Sequence, residues 1–525
     1  MARTASLAYA AFALTGLLMA LAFPPFGMAD AAWCSLIPFI IASAYLKPAH
    51  VWRAGLVAGA VFWLITIFWL TRVTWFGWFL LCLYCGLYFI PSALVSAVWI
   101  RRFGTANFAG NMAFMFIISA TWAASEYLRA NLFTGFPWNP LGTSLYENIA
   151  FIQHAGWGGV YVLSALIVFV NAGIALTVLR YVKRQARLGR RPHPELMVAM
   201  SAVVVAFVLG HRMVQEFDAG AGRDLRLALI QTSIPQDNKW DEEKALMIYE
   251  RLRELTSMAV NVTQPELVIW PETALPYDVR LSESCYRTVS ELAALGSPIL
   301  VGSMDAELIE GKKPRYFNSS FLFDTNGIIL EYYEKRHLVL LGEYIPLHEH
   351  IRFITAMTPI MESFSPGNTS TVFRTPGQAL PFSSLICFED TLPYLARESV
   401  RNGARLLVNQ TNDAWFDPLW ASQQHMVLSI FRAVENRVPM VRAANTGVSC
   451  SIDALGRVHE KLRDRDGRHD GKGFQLVQTT VPPEEMSMTF YTRYGDVFAW
   501  ACLGPGFMAW AWAWRLNRRA RMTLS

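Results

Sequence analysis

Long apolar runs occupy residues 1–212, and one more apolar run lies close to the C-terminus. Each run is near the length that an α-helix needs to cross a bilayer core of roughly 30 Å. The pattern therefore predicts a membrane α-helical bundle of about eight transmembrane helices. The predicted helices lie near residues 6–23, 31–46, 54–71, 76–100, 108–128, 157–179, 195–210 and 497–514.

A region of mixed polarity, residues 213–495, separates the last two apolar runs. It alternates between strand-like stretches, such as RLALIQTSI at 226–234, and helical stretches, such as residues 241–260 with an acidic first turn. Residues 316–335 predict a β-hairpin that turns at an Asn-Gly pair. This alternation predicts an α/β domain whose sheet is covered by helices.

The pattern divides the chain into three predicted parts. Residues 1–212 hold about seven transmembrane helices, residues 213–495 form the α/β domain, and residues 496–525 hold the last helix and a basic tail. Further strands are predicted at 266–273, 297–305, 380–390, 404–413 and 439–458, and further helices near 391–402 and 422–436.

The composition agrees with a membrane protein. Hydrophobic residues make up 53% of the chain, charged residues only 17%, and the mean hydropathy is +0.27. These values are unusual for a soluble protein. The net charge of +5 is modest, and no basic stripe carries interleaved aromatic residues. We therefore expect no nucleic-acid partner.

Basic residues concentrate in alternate connections between the predicted spans. The positive-inside rule then places both termini in the cytoplasm and, after seven crossings, residues 213–495 on the outer side of the membrane. Residues 29–31 resemble a signal-peptidase site, but the preceding apolar run is long, so we predict an uncleaved anchor. The basic residues are Lys47, Arg53, Arg101, Arg102, Arg180, Lys183, Arg184, Arg187, Arg190, Arg191, Arg515, Arg518, Arg519 and Arg521.

Three of the seven cysteines, Cys285, Cys387 and Cys450, fall in the predicted outer region. An odd number leaves at least one thiol without an intramolecular partner in an oxidising compartment. Cys82 and Cys85 form a C-x-x-C motif inside an apolar span, which favours packing over redox chemistry.

Reactive side chains follow the ends of several predicted strands. Glu272, Cys387 and the Asn412-Asp413 pair each end one strand, and Lys335 follows the hairpin. Because ligands bind beyond the carboxyl ends of strands in such sheets, we expect an acid, a lysine and a thiol to meet at one sheet edge. Each alone has a plainer interpretation, as a helix cap, a solvated charge or core packing.

The three side chains have complementary chemistry. A free thiol near pKa 8.5 holds only a few per cent of the reactive thiolate at neutral pH, so a local base such as Glu272 is needed. Lys335 can stabilise the oxyanion of a tetrahedral intermediate, together with the backbone N–H that follows the nucleophile.

These residues, in the settings WPET, EKRHLV and LICFED, resemble the nitrilase superfamily, whose fold is an αββα sandwich. A nitrilase-like domain between membrane spans resembles the apolipoprotein N-acyltransferase family. Supporting stretches are TGFPWNPLG at 134–142, IPQDNKWD at 234–241, HLVLLGEYIPL at 337–347 and TNDAWF at 411–416.

The resemblance implies Glu272 as general base, Lys335 as stabiliser of the oxyanion and thiolate, and Cys387 as nucleophile. Supporting or substrate-binding positions implied by the motifs are Glu343, Phe388, Glu389, Trp240, Trp415, Trp138 and Asn412. Trp138 has an alternative role as an interfacial anchor. The chain departs from the family at Phe388, where Tyr is common, and at Asp417-Pro418.

The implied reaction moves an acyl chain from a glycerophospholipid to the α-amine of a diacylglyceryl-cysteine on an apolipoprotein. It proceeds through a Cys387 thioester and needs no cofactor or metal. One alternative is a membrane-anchored amidase that releases its acyl group to water. Another is a transporter or receptor, but few ionisable residues lie inside the spans. Residues 347–368 are predicted to be a lipid gate or, alternatively, a packed surface helix.

Overall fold

The computed structural model describes residues 2–105, 107–182, 194–217, 222–239, 241–308, 310–311, 313–344, 363–375, 377, 380–416, 419–463 and 467–522. The chain divides into two compact units. The first comprises Met1–Phe217 with Tyr494–Ser525, and the second comprises Asp218–Arg493.

The first unit is helical. Its helices are α1 (Ala2–Leu21), α2 (Ile37–Ser43), α3 (Val51–Thr66), α4 (Trp75–Leu87), α5 (Ile90–Phe103), α6 (Phe108–Asn131), α7 (Ile149–Ile152), α8 (Ala155–Gly158), α9 (Val160–Val182), α10 (Pro194–Glu216) and, after the second unit, α16 (Val497–Met522). The second unit holds α11 (Ala245–Thr263), α12 (Glu283–Ala293), α13 (Pro393–Arg401), α14 (Leu419–Asn436) and α15 (Phe490–Tyr494), whose last residue falls in the first unit.

Several of these helices have the length and composition of membrane spans. Among the described residues, four candidates reach spanning length: Trp75–Phe103, Phe108–Asn131, Val160–Val182 and Pro194–Glu216. Shorter apolar helices cover Ala5–Leu21, Ala29–Ser43 and Val51–Thr66. The membrane character of the unit is confirmed, whereas the number of eight spans stays a prediction.

The predicted span at 76–100 contains a break. Helix α4 ends at Leu87 and α5 begins at Ile90, with Pro91 in the first turn of α5. Proline has no backbone N–H and is therefore suited to the start of a helix rather than to its interior. Cys82 and Cys85 are both buried in α4.

The ionisable residues at the end of α6 hold the loop that follows it. Glu126 accepts hydrogen bonds from Trp122 Nε1 at 2.9 Å and from Leu141 N at 2.7 Å. Arg129 donates to the carbonyl oxygens of Phe136 and Trp138. Buried charges need such partners, and these contacts give both residues a structural task in the loop at 132–141.

Within its described residues, the second unit contains two six-stranded sheets. The first has the order β12-β1-β2-β3-β4-β5 and the second the order β11-β10-β9-β8-β7-β6. In each sheet the three central strands that lead to the site run parallel, β1 to β3 and β7 to β9. The strands are β1 (Arg223–Gln231), β2 (Leu267–Ile269), β3 (Ile299–Glu307), β4 (Arg315–Phe323), β5 (Ile329–Glu334), β6 (Phe373–Arg374), β7 (Pro381–Ile386), β8 (Leu406–Thr411), β9 (Met440–Ala444), β10 (Cys450–Ile452), β11 (Val458–His459) and β12 (Gly473–Val481).

The two sheets enclose an apolar core. Alternate residues of each strand point inward, as period-two strands require. Leu225, Leu227 and Leu229 of β1 meet Leu406 and Val408 of β8 in one buried cluster. The intervening residues of the first sheet pack on helices outside it.

Helices cover the outer face of each sheet. They are α11 (Ala245–Thr263), α12 (Glu283–Ala293), α13 (Pro393–Arg401) and α14 (Leu419–Asn436). Helices α11 and α12 pack on the first sheet, and α13 and α14 pack on the second. The unit is therefore an αββα sandwich, with α12 and β12 as additions to the predicted elements.

The predicted hairpin is present and sets the position of Lys335. Strands β4 and β5 pair antiparallel, and Ser319 lies opposite Glu334. Lys335 therefore follows directly beyond the last pair, and its backbone N–H donates to the Asn318 carbonyl at 2.8 Å. The turn uses Gly327 at φ 76°, a conformation that glycine adopts readily.

Candidate active site

Cys387 occupies a sharp bend at the carboxyl end of β7. Its φ angle of 52° is in the left-handed region, which non-glycine residues adopt rarely. The Asn409 side-chain amide holds the bend by donating to the Leu385 and Cys387 carbonyl oxygens, each at 3.0 Å. A short 3₁₀ helix, Cys387–Thr391, follows at once. Cys387 is thereby held, half-buried, at the end of the strand.

Three of the predicted residues form a compact charge cluster. Lys335 Nζ donates to Glu343 Oε1 at 2.6 Å and lies 3.7 Å from Glu272 Oε1. The charges of Glu272 and Lys335 both act on the Cys387 thiol. Cys387 belongs to the second sheet, while Glu272 and Lys335 belong to the first. The prediction that they meet at one sheet edge is therefore wrong, because two stacked sheets contribute to the site.

The backbone around Glu272 requires a glycine on the neighbouring strand. Gly302 of β3 lies so close that a Cβ there would be 2.3 Å from the Pro271 carbonyl oxygen. Because glycine has no Cβ, the chain after β2 can pass close to β3. There the Ala274 N–H donates to the Gly302 carbonyl at 2.8 Å. The position of Glu272 therefore depends on a residue that carries no chemistry.

Asn318 holds the two carboxylates, and the sequence analysis missed it. Its side-chain amide donates to Glu272 Oε1 at 2.7 Å and to Glu343 Oε1 at 3.3 Å. Glu343 is also fixed by the Val339 N–H, which donates to its second oxygen at 2.9 Å. The sequence signal for Asn318 was a polar residue at a strand position predicted to be buried. Such residues usually have a specific hydrogen-bond partner.

The electrostatics of the cluster favour a neutral thiol at rest. Burial and the Glu272 carboxylate raise the pKa of Cys387 well above its usual value, although Lys335 opposes them. Burial alone would lower the pKa of Lys335, but Glu343 and Glu272 raise it above its usual value. The cluster therefore combines a protonated thiol, a fixed cation and carboxylates beside them.

Glu389 stabilises the backbone and does not act on the sulfur through a direct contact. Its carboxylate accepts hydrogen bonds from the N–H groups of Ile386 at 2.8 Å, Arg336 at 2.8 Å and His337 at 3.1 Å. The Tyr333 hydroxyl donates to both of its oxygens. Glu389 thus joins the segment before Cys387 to the segment after Lys335, which explains an acid so close to a reactive thiol.

A second buried network holds the segment that follows Cys387. His425 of α14 contacts Asp390 Oδ1 at 2.7 Å and Asp413 Oδ1 at 3.0 Å. Arg442 of β9 pairs with Asp390 and lies 3.7 Å from Asp413. Asp390 ends the segment after Cys387, and Asp413 follows β8. The network therefore fixes two strand ends of the second sheet.

The His425 contacts predict a pH-dependent stability. Burial alone would lower the pKa of His425, but Asp390 and Asp413 raise it, against Arg442, to about 9. A histidine pKa raised on folding stabilises the folded state fully below the unfolded pKa of about 6.5, and the effect is lost as the pH rises through about 9. We expect His425→Gln to lower the free energy of unfolding by roughly 3 kcal/mol near pH 6.

Thermal and denaturant unfolding of the purified full chain in detergent, at about pH 6 and about pH 10, tests this expectation. The difference between wild type and His425→Gln should shrink at the higher pH. His459 is a matched control, because it is about half exposed and its ion pair within the described residues is with the surface residue Asp453, at 3.4 Å. A difference for His425→Gln that does not change with pH would contradict a charged His425.

The remaining predicted residues have varied positions. Asn412 lies buried in the same unit, where its amide donates to Gln236 Oε1 at 2.8 Å and thereby links two loops. The Phe388 ring stacks on His337. Trp415 is 40% exposed. Trp138 belongs to the helical unit and is buried there against Trp69 and Phe136.

Some predictions lie outside the described residues. They are Trp240, the Asp417-Pro418 pair and most of the predicted gate, its residues 347–362. Within the described ranges, no group of three or more His, Cys, Asp and Glu side chains is placed to hold a metal ion.

Comparison with known proteins adds two family matches and close full-length relatives. The family model described as apolipoprotein N-acyltransferase N-terminal domain matches residues 15–173, and the carbon-nitrogen hydrolase model matches residues 226–479. A Geobacter metallireducens protein named apolipoprotein N-acyltransferase is 34% identical over 96% of this chain and 94% of its own length. An Allorhizobium ampelinum protein of the same name is 30% identical over 86% of each chain.

Solved structures align with about half of the chain. The crystal structure of Saccharomyces cerevisiae Nit3, a member of the nitrilase superfamily, aligns with 51% of this chain and 93% of its own, at 20% identity and a TM-score of 0.38.

Proposed function

Because the chain belongs to the apolipoprotein N-acyltransferase family, we infer that it is a membrane acyltransferase that acylates the N-terminus of lipoproteins. We propose a membrane glycerophospholipid as the acyl donor and the α-amine of a diacylglyceryl-modified cysteine as the acceptor. The observation that supports this chemistry most directly is the cluster in which Lys335 lies 2.6 Å from Glu343 and 3.7 Å from Glu272. The charges of Glu272 and Lys335 act on the Cys387 thiol.

The first half of the proposed reaction forms a thioester. Glu272 takes the proton of the Cys387 thiol as the sulfur attacks the ester carbonyl of the phospholipid. Lys335 stabilises the oxyanion of the tetrahedral intermediate. The intermediate then collapses, the glycerol oxygen leaves with the proton from Glu272, and the lysophospholipid departs.

The second half transfers the acyl group to nitrogen. The acceptor amine attacks the thioester carbonyl, and Glu272 takes a proton from the amine. The Cys387 sulfur leaves as thiolate and recovers the proton from Glu272. The product is an amide, and the enzyme returns to its starting protonation state. Glu343 and Asn318 keep Glu272 and Lys335 in place during both halves.

Mass spectrometry of a lipoprotein N-terminus tests the function in cells. The host with this protein should produce an amide-linked acyl chain on the N-terminal cysteine, and the same host depleted of the protein should leave that amine free. Equal N-acylation in both would exclude the function. Purified enzyme should consume phospholipid repeatedly only when an amine acceptor is supplied. Steady release of free fatty acid without acceptor would instead indicate a hydrolase that passes its acyl group to water.

We also propose that both termini are cytoplasmic and that residues 213–495 are periplasmic. The proposal rests on the basic connections between the apolar segments. Alkaline phosphatase is active only after export, so a fusion after Gly220 should be active and a fusion after Arg191 inactive. The reverse pattern would contradict the orientation and, with it, a periplasmic acceptor.

A further inference from the structure

Lys239 is a buried cation beside the catalytic carboxylate. Its side chain is only 3% exposed. Its Nζ donates to the main-chain carbonyl oxygen of Glu272 at 3.0 Å. A charged group at this burial needs compensation, because transfer of an unpaired ammonium out of water is strongly unfavourable. The Glu272 carbonyl oxygen is a neutral partner. The negative charge that compensates the Lys239 ammonium therefore comes from the cluster of Glu272, Lys335 and Glu343.

The segment that carries Lys239 is attached firmly to the site. The Asn445 side chain accepts hydrogen bonds from Thr232 Oγ1 at 2.6 Å and from Ile234 N at 3.0 Å. The Asn412 amide donates to Gln236 Oε1 at 2.8 Å. Residues 232–239 therefore form a fixed arm along the ends of β8 and β9, and Lys239 lies at the end of this arm.

The charges of Glu272, Glu343 and Lys335 balance only when Lys239 is included. Glu272 and Glu343 carry two negative charges, and Lys335 carries one positive charge. Movement of the thiol proton to Glu272 does not change this net charge, because the carboxylate becomes neutral as the sulfur becomes an anion. An unbalanced negative charge in a buried site disfavours thiolate formation. Lys239 supplies the missing positive charge, and its charge interacts with both Glu272 and Cys387.

We propose that Lys239 is a positioning residue of the acyl transfer, which fixes the Glu272 main chain and neutralises the cluster while the Cys387 sulfur is an anion. The inference rests on the proposed function. Lys335 contacts the carboxylates from the side of the β4–β5 hairpin, and Lys239 approaches Glu272 from the arm before α11. The site thus has two cations with different tasks.

The proposal has a pH signature. Burial lowers the pKa of Lys239 to about 8, although Glu272 and Cys387 raise it. Formation of the acyl-enzyme should therefore slow as the pH rises through about 8, when Lys239 loses its charge. An arginine at the same position keeps its charge throughout this range.

The test measures thioester formation from acyl-labelled phospholipid, in detergent and without acceptor, for the full-length protein between about pH 6.5 and about pH 9.5. Lys239→Met should slow it roughly a hundredfold near pH 7, an effect comparable to misplacement of a catalytic group. Lys239→Arg should recover most of the rate and move the decline to higher pH. Lys244→Met is the matched control, because that partly exposed lysine bonds to Asn238 and Asp241.

A second readout does not depend on the phospholipid. The rate at which iodoacetamide alkylates Cys387, located by mass spectrometry, should fall about tenfold in Lys239→Met near pH 7, the effect of one unit in thiol pKa. If wild type forms no thioester, the proposed function fails, while the alkylation rates still test Lys239.

Three outcomes would overturn the inference. In the first, Lys239→Met matches wild type in both assays. In the second, the Met and Arg variants form the thioester equally slowly and keep the wild-type pH profile. That result would indicate that Lys239 acts through its size and fit and not through its charge. In the third, which applies where Lys239→Met does not fold, Lys239→Arg retains the decline near pH 8.

Discussion

Replacing Cys387 with Ala should abolish N-acylation, with a loss of at least about 10⁴-fold in turnover. The sulfur is the only atom in the proposed mechanism that bonds to the acyl group, and neither Glu272 nor Lys335 can replace it. The substitution removes one sulfur atom and retains the backbone that Asn409 holds. The chain should therefore remain folded while its activity is lost. Transfer of labelled acyl chain to a diacylated lipopeptide measures the effect.

Two other cysteines of the same unit provide controls. Cys285 is buried in α12, where it meets the Tyr249 hydroxyl at 3.1 Å, and Cys450 is buried in β10. Cys285→Ala and Cys450→Ala should keep acyl transfer within about threefold of wild type when compared at equal folded fraction, because surface and core changes act mainly through stability. Substantial transfer by Cys387→Ala would show that another group carries the acyl chain.

Lys335→Met should slow thioester formation by a factor on the order of a hundred to a thousand, the range found when one oxyanion donor is removed. The ammonium is almost fully buried and lies between two carboxylates. Its removal leaves Glu272 and Glu343 without that cation and withdraws the donor from the developing oxyanion. Stopped-flow or quenched-flow measurement of label incorporation from phospholipid gives the rate.

Arg336 is a suitable control for Lys335. It is the next residue, its guanidinium pairs with Glu398 at 2.9 Å, and its contact to Glu389 is made by the backbone N–H. Arg336→Met should therefore change the rate by less than about threefold, as expected for a partly exposed ion pair. Equal effects of the Lys335 and Arg336 substitutions would argue against a specific oxyanion role.

The sequence predicts much of this site because its main residues lie at strand ends. Glu272 follows β2, Cys387 follows β7 and Lys335 follows β5. Each residue could therefore be placed at a strand end, where ligands bind in such sheets, without knowledge of side-chain packing. The hairpin was equally predictable, since its Asn-Gly turn is a local signal. The hydrogen-bonding role of Glu389 was partly predictable, because an acid so close to a thiol in the sequence is not expected to point at the sulfur.

Other features depend on contacts that no local pattern encodes. Asn318 and Lys239 occupy a strand and a loop, and their importance follows only from the carboxylate and carbonyl that they reach across the fold. His425 lies on a helix, and its two aspartates come from segments 35 and 12 residues away. The expectation that Glu272, Lys335 and Cys387 lie on one sheet failed for the same reason. Pairing between strands more than a hundred residues apart is a tertiary property that no local pattern encodes.

The central claim is that Cys387 carries the acyl group as a thioester between the two substrates. A purified full chain that receives acyl-labelled phospholipid and no acceptor should retain close to one label per chain, provided that water competes poorly at the site. Mass spectrometry should place the label on the peptide that contains Cys387, hydroxylamine should release it, and a diacylated lipopeptide should take it as an amide. Absence of label from the wild-type chain, or label that persists in Cys387→Ala, would contradict this account.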